Sequence, residues 1–326
     1  MKSLLVLRQH IINFVGKNEV YLKPVFKLLL SLIALLFINR KLGYMQKIDN
    51  TSVVLIAALM CSFMPMNFIV LIAAIFVLLH MYALSIECAA VTLVIFVILF
   101  LLYFRFSPKD TIVVVLTPIL QILGVPYIIP VSMGLLGNPA SAVSVGCGLI
   151  VSYMLKTING NAAALSSMET EDVATRFRLI IDSLLDNKLM ILMIAAFGIT
   201  IILVYVIRRL PMDYSWPAAI ITGAIAQSVL ILVGSLMLDV SVSKAGIIVG
   251  SLLAIVIGFV IQFIWFNVDY SRTEKVQFED DDYYYYVKAV PKANVSMPQR
   301  TVKKINTAKR RPQSAPVRTR VKEEED

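Results

Sequence analysis

The chain has 326 residues, 59% of them hydrophobic, with a mean hydropathy of +0.81, against a roughly 45–50% apolar share in soluble domains; a water-soluble globular fold is excluded. The formal net charge of +9 is a property of the tail, since residues 283–322 hold eleven Lys or Arg and no acid, while residues 1–282 hold nineteen basic and seventeen acidic groups. Cys61, Cys88 and Cys147 lie in apolar runs at no metal-like spacing, and only His10 and His80 are present. No disulfide framework, no metal site and no cofactor are expected.

Residues 1–21 open the chain as an interfacial segment, with Leu4, Leu7, Ile11 and Val15 on one helical face. The short apolar run Leu4 to Leu7 is not the h-region of a cleavable signal. A first span covers 22–39, where Lys23 and Lys27 must snorkel. The apolar run 53–79 is interrupted by Met64-Pro65-Met66-Asn67, giving two pieces too short to span alone and therefore a hairpin. A full span at 82–104 has Glu87 as its one formal charge, and His80 beside Tyr82 reads as interfacial.

From Thr111 to Leu155 there is no charged side chain, yet Pro118, Pro126, Pro130 and Pro139 interrupt the run. With Pro65 these are the expected helix breaks, and backbone groups freed at membrane depth must find partners in protein or in a wet cavity. The breaks divide 111–123 from 127–137, and Asn138 with Pro139 reads as the N-cap and first residue of a new helix. Residues 53–104 and 112–156 share one plan, VLIAALMCSFMP against VVVLTPILQILGVP, which suggests two inverted repeats inside a membrane region of 22–156. Residues 157–188, net −2 from three basic and five acidic groups, read as an extracytoplasmic amphipathic insert, with a Ser166/Glu169 capping box and an Asp172/Arg176 pair.

Three further spans follow at 189–207, 215–238 and 244–267. The small residues Gly246, Gly250, Ala254 and Gly258 form a ladder expected to pack the last span on its neighbour, where Ser215, Ala219 and Gly223 repeat the pattern. Residues 268–326 are the cytoplasmic tail: an acidic block at Glu279 to Asp282, a strand-like Tyr283 to Val290 able to join a partner's sheet edge, and a basic, disordered end. Tyr283 to Lys322 is expected to bind anionic inner-leaflet lipids, and the lack of aromatics beyond Val287 argues against nucleic acid.

The fold class is thus an all-α integral membrane protein with about six full transmembrane helices, two Pro-broken hairpin or re-entrant segments and a basic tail. Positive-inside counting places Arg105, Lys109, Arg208, Arg209 and the tail together in the cytoplasm only if 112–137 returns to the side it left; loop 40–52, net +2 from three basic groups and one acid, then falls outside. Pathway or coupling candidates are Glu87, Asn67, Gln121 and Asn138, with Gln227 and Gln262 as polar groups that line a path or bond between helices. Asn138-Pro139-Ala140 occurs once and reads as a helix start. HExxH, GxSxG, GxGD and P-loop patterns are absent, so no enzyme is expected, and any pumping would draw on an ion gradient or a partner ATPase.

The segments VDYSRTEKVQFEDDDYYYYVKAVPK (268–292), RFSPKDT and LTPILQILGVPYIIPVSMGLLG resemble a group of polytopic membrane proteins from clostridial Gram-positive bacteria, loosely labelled permease-like. That resemblance implies a plasma-membrane location and carries over no catalytic or binding residue. A permease or channel-like subunit is the leading expectation, and a non-transporting scaffold of an envelope-assembly or secretion complex, with protein partners or as a homo-oligomer, is the rival.

Overall fold

The computed structural model describes residues 2–167, 173–266, 268 and 273–292. Among the described residues, six helices are long and apolar enough to cross a membrane: α2 (Glu19–Leu42), α5 (Ile86–Phe106), α8 (Ser141–Ser167), α10 (Lys188–Arg208), α11 (Ser215–Met237) and α12 (Lys244–Trp265). Shorter helices complete the chain: α1 (Lys2–Lys17), α3 (Thr51–Phe63), α4 (Phe68–Leu84), α6 (Thr111–Ile122), α7 (Ile128–Leu136) and α9 (Val173–Leu185). The chain is an all-α membrane fold with one small addition, a β-hairpin. Several starts follow from cap residues: Asn50, Ser85, Asn187 and Ser243 each accept a bond from a backbone N–H two or three residues on.

Helix directions follow from contacts at matched levels; the end that holds residues 107–110 is here the lower end. α2 rises and α3 descends beside it, with Ser31 Oγ bonding Ala58 O at 3.4 Å and Ser62 Oγ bonding Pro24 O at 2.8 Å. α4 rises again, bringing His80 level with Asn39 at the upper end, and α5 descends until Tyr103 reaches Asn67. The α3–α4 tip is therefore level with the lower loop. α6 then rises, and α7 descends from Tyr127, which packs on Phe197 in the middle of α10, to Gly137, which meets Arg208 at the lower end. α8 starts there too, with Ser144 Oγ 2.5 Å from Ser107 Oγ. It rises parallel to α6 until Asn159 reaches Lys41.

Both broken segments are thus hairpins, entered from opposite ends, but they differ in depth. α4 has 17 residues and rises about 25 Å, whereas α6 and α7, with 12 and 9 residues, rise about 18 and 14 Å and stop near the middle of the neighbouring spans. Their packing partners differ: α4 lies along α5, while α6 lies along α8 and α7 packs on α10 and α12.

The prolines divide by role, and three expectations are corrected. Pro65 and Pro126 sit at the hairpin tips. Pro118 does not break α6, which runs through it; the hydroxyl of Thr117 bonds back to Val113 O at 2.7 Å beside the lost N–H. Pro130 lies in the first turn of α7, where its missing N–H costs nothing. Nor is Asn138 the cap of α8, which begins at Ser141 after a turn through Pro139; the Asn138 N–H donates to Ser141 Oγ at 3.2 Å.

The mid-depth tip is closed by the chain itself. Val125 N–H donates to Leu120 O at 2.9 Å and Gly124 N–H to Gln121 O at 3.2 Å, the Schellman arrangement that satisfies the last carbonyls of α6. It requires a left-handed residue after the helix, and Gly124 supplies it with φ +77°. At the other end of the hairpin the Arg208 guanidinium donates to Leu135 O and, at 2.8 Å, to Gly137 O, capping α7. Lys27 does the same for the first hairpin, donating to Met64 O at 2.9 Å, a more specific role than snorkelling.

The small-residue ladder is also redistributed. Gly258 faces Ile220 of α11 as expected, and Ser228 bonds Ser251 at 2.7 Å across the same pair. A Cβ on Gly250, however, would lie 2.1 Å from the Tyr127 ring, so this rung admits the hairpin tip. Ala254 joins a cluster with Val131 and Leu135 of α7 and with Ala219, Ile220 and Ala224 of α11, Gly246 faces its own cap Ser243, and Gly223 on α11 admits Val204 of α10.

α1 lies at the lower end, with Arg8 donating to Ile264 O at 2.9 and 3.1 Å while Leu4, Leu7, Ile11 and Val15 stay exposed. α9 seats Phe177, Ile180 and Leu184 against the upper parts of α5 and α8. α8 itself continues through much of the region expected to be extramembrane, to Ser167. Residues Glu169 and Asp172, and with them the expected capping box and ion pair, lie outside the described residues. So does the tail beyond 292. Tyr283 to Val290 is not a free strand: β2 (Tyr284–Ala289) pairs antiparallel with β1 (Glu274–Glu279), where Val276 and Phe278 alternate with polar residues. Lys288 Nζ reaches Asp213 at 2.8 Å, tying this hairpin to the α10–α11 loop.

Replacing Arg208 by Met removes two charge-assisted bonds and leaves two α7 carbonyls without a donor, so unfolding should become easier by about 2–4 kcal/mol. Replacing Arg209, which stacks on Tyr205 at 4.7 Å, should cost no more than about 1 kcal/mol. Thermal unfolding in detergent compares the two, and equal melting of both variants with the parent would contradict the capping role.

Candidate functional site

The sequence candidates do not converge. Asn67 closes the lower end of the first hairpin: the Tyr103 hydroxyl lies 3.0 Å from its Oδ1, 2.8 Å from Thr111 Oγ1 and 3.1 Å from Pro108 O, and Thr111 donates to Asn67 as well. That is a helix-to-helix clamp. Glu87 lies buried in the first turn of α5 at the upper end, where a carboxylate complements the helix dipole. Asn138 belongs to the lower turn before α8. His80, at the upper end of α4, is fully buried within the protein. Its Nδ1 faces the Met45 N–H at 3.2 Å and its Nε2 faces Asn39 Oδ1 at 3.0 Å, while Asn39 donates to Ile48 O at 2.7 Å. An Nε2-protonated neutral ring satisfies every partner and fixes the α2–α3 loop.

Gln121 lines a cavity. A space of about 330 Å³ lies above the α6 end of the second hairpin, lined by Lys41, Gln121, Ile122, Ser152, Tyr153, Leu155, Lys156 and Asn159. Three elements build it. α8 presents Ser152, Lys156 and Asn159 on one face at helical spacing, with Tyr153 beside them. α2 contributes Lys41 from its last turn, and α6 contributes Gln121 and Ile122 just before the Schellman turn.

Asn159 holds the walls together: its amide donates to Lys41 O at 2.8 Å, and its oxygen accepts from the Tyr44 hydroxyl. Both ends of one side chain are used to fix α8 against the end of α2. Gln121 Nε2 donates to the Tyr153 hydroxyl at 3.3 Å, and Gln121 Oε1 is buried with no protein partner. Exchanging the amide's O and N lets the oxygen accept from the Tyr153 hydroxyl. In either orientation the other amide atom is enclosed by the protein and has no hydrogen-bond partner in it.

The charge of the site has one sign. No carboxylate lines it, and neither the Lys41 nor the Lys156 ammonium has a carboxylate or hydrogen-bond partner among the described residues. The C-terminus of α6 contributes about −0.5 of a charge, too little to balance two lysines. Groups of three or more His, Cys, Asp or Glu able to hold a metal are absent among the described residues, and the three cysteines are free and buried.

The uncharged run ends at Leu155, one residue before Lys156, and Asn159-Gly160 is a turn-type dipeptide; α8 nevertheless continues through it to Ser167 and puts Lys156 inside the helix. Comparisons with protein-family models, curated proteins and solved structures find no match.

Gln227 is the other polar oddity: fully buried in α11 with neither amide atom bonded. Leaving such a group without partners costs about 1–3 kcal/mol. Gln227→Met, which keeps the shape and removes the amide, should raise the melting temperature in detergent; a fall in melting temperature would show that this amide has a partner, such as an ordered water.

Proposed function

We propose that the chain is a plasma-membrane transport subunit, permease- or channel-like, of the kind its clostridial resemblance suggests. The observation that carries this reading is the second hairpin, which ends at mid-depth beneath a polar cavity at the upper end. Irregular backbone at that depth is tolerated where it lines such a cavity, and broken helices of this kind mark substrate sites. The lower end, with Arg105, Lys109, Arg208 and Arg209 beside Asp110 and Asp213, is read as cytoplasmic by the positive-inside rule. Loop 40–52 then lies outside in spite of its net +2, and the cavity supplies a reason: Lys41 is there for a ligand and not for orientation.

A scaffold role is the second reading. It is favoured by the apolar packing between the two hairpins, where Cys61, Ile69, Val70, Val115 and Ile119 meet with Leu30 and Ala34 and leave no polar path from tip to tip.

The two readings separate in one experiment. Gln121→Cys, in a chain lacking Cys61, Cys88 and Cys147, should react with a small impermeant thiol reagent added outside and not with one added inside. Reconstituted vesicles should exchange small anions such as chloride or acetate faster than protein-free vesicles, and labelling should block the exchange. Reaction from outside without any anion exchange would overturn transport in favour of the scaffold, and a thiol unreactive from both sides would remove the wet cavity itself.

A further inference from the structure

The polar cavity does not stand alone. An apolar slot of about 100 Å³ opens between α2, α4, α5, α6 and α8, and it shares Lys41, Ile122 and Leu155 with the cavity. Moving along it from those three residues, the walls become Phe37, Val77, Phe96, Phe100, Pro118 and Val151, with no polar side chain among these six. Lys41, Ile122 and Lys156 are all exposed, so the junction of slot and cavity is reached from the protein surface. The arrangement is an amphipathic one: a cationic, hydrogen-bonding chamber at the upper end and a hydrocarbon-lined slot beneath it.

We propose that this composite site binds an anionic lipid of the bilayer, with the charged headgroup between Lys41 and Lys156 and the start of one acyl chain in the slot. The inference rests on the cavity above the hairpin tip and not on movement of anything through it. Charge complementarity selects the head. Two ammonium groups line one chamber that holds no carboxylate, and a phosphate or carboxylate between them takes charge-assisted hydrogen bonds from both. The Ser152 and Tyr153 hydroxyls line the same chamber and supply further donors. Asn159 holds the chamber walls, being bonded to Lys41 O and to Tyr44.

Continuity with the slot selects a lipid over a free anion. A small anion satisfies the lysines and leaves Phe37, Phe96 and Phe100 around an empty space, which forfeits dispersion contacts on every wall. Each methylene seated there tightens binding by up to about fourfold, the equivalent of about 0.8 kcal/mol.

The test uses the purified full chain in a neutral detergent, with melting temperature read against added butyl, octyl and dodecyl phosphate, inorganic phosphate, and phosphatidylglycerol or phosphatidylcholine. Affinity should rise from butyl to octyl phosphate, and inorganic phosphate should bind at least tenfold more weakly than the octyl ester. Phosphatidylglycerol should compete with dodecyl phosphate and phosphatidylcholine should not. The double substitution Lys41→Gln with Lys156→Gln should weaken dodecyl phosphate at least tenfold, whereas Arg105→Gln with Lys109→Gln, at the opposite end, should leave its affinity at the parent value.

Binding independent of chain length would make the site a plain anion pocket and overturn the proposal, as would equal weakening by the two double variants or competition by both phospholipids alike. Lipid binding without anion exchange leaves this inference standing and removes transport; exchange without chain-length dependence does the reverse.

Discussion

The architecture depends on how backbone carbonyls are satisfied where helices end inside the membrane region. Hydrocarbon offers them no donor, and each one left bare costs several kcal/mol. The half-depth hairpin answers this separately at its ends: at the tip, Gly124 in a left-handed conformation lets Val125 and Gly124 return their N–H groups to α6, and at the base Arg208 reaches across from α10 to the last carbonyls of α7. Lys27 performs the same task for Met64 in the first hairpin. Charged side chains inside an apolar protein are often read as pathway residues, but these two are placed by carbonyl chemistry.

With the ends secured, packing arranges the rest around α8. About 67% of its membrane window is buried, against 22% for α2 and 28% for α12, so it is the axle between an N-terminal group (α2 to α6) and a C-terminal one (α7, α10, α11 and α12). The second hairpin is divided between them, α6 in one group and α7 in the other, and its tip therefore sits on the seam. Because α6 stops halfway, nothing from it fills the space beside the upper half of α8, and Lys156 and Tyr153 look into that space. The cavity is thus a consequence of the short helix. Glycines at the seam keep α7 close: Gly250 admits Tyr127, and Gly223 admits Val204 beside Val131.

Much of this was legible in the residues. Apolar run lengths locate the six spans, prolines and polar dipeptides locate both tips, and the charge of the loops requires 112–137 to return, which it does. The unread parts share a cause: they depend on which helix lies next to which. Pro118 looks like a break, but α6 runs through it. The Gly246 to Gly258 ladder looks like one interface, but successive rungs meet α7 and α11. Lys27, Lys41, Lys156 and Arg208 are basic residues at span ends in the sequence, and only the fold separates the two that cap helices from the two that face a cavity. β1 was missed because its Val276/Phe278 alternation is short and flanked by charge.

The account stands on the return of the second hairpin to the end it entered from, which puts the Ser107 and Ser144 hydroxyls 2.5 Å apart. In a chain freed of its native cysteines, Ser107→Cys with Ser144→Cys should form a disulfide in native membranes under mild oxidation, identified by mass spectrometry of the linked peptides. Were residues 111–137 a single crossing, the two positions would lie on opposite sides of a hydrocarbon layer of about 30 Å. Absence of that disulfide, with each single cysteine labelling from a different side, would contradict the re-entrant hairpin and the cavity that follows from it.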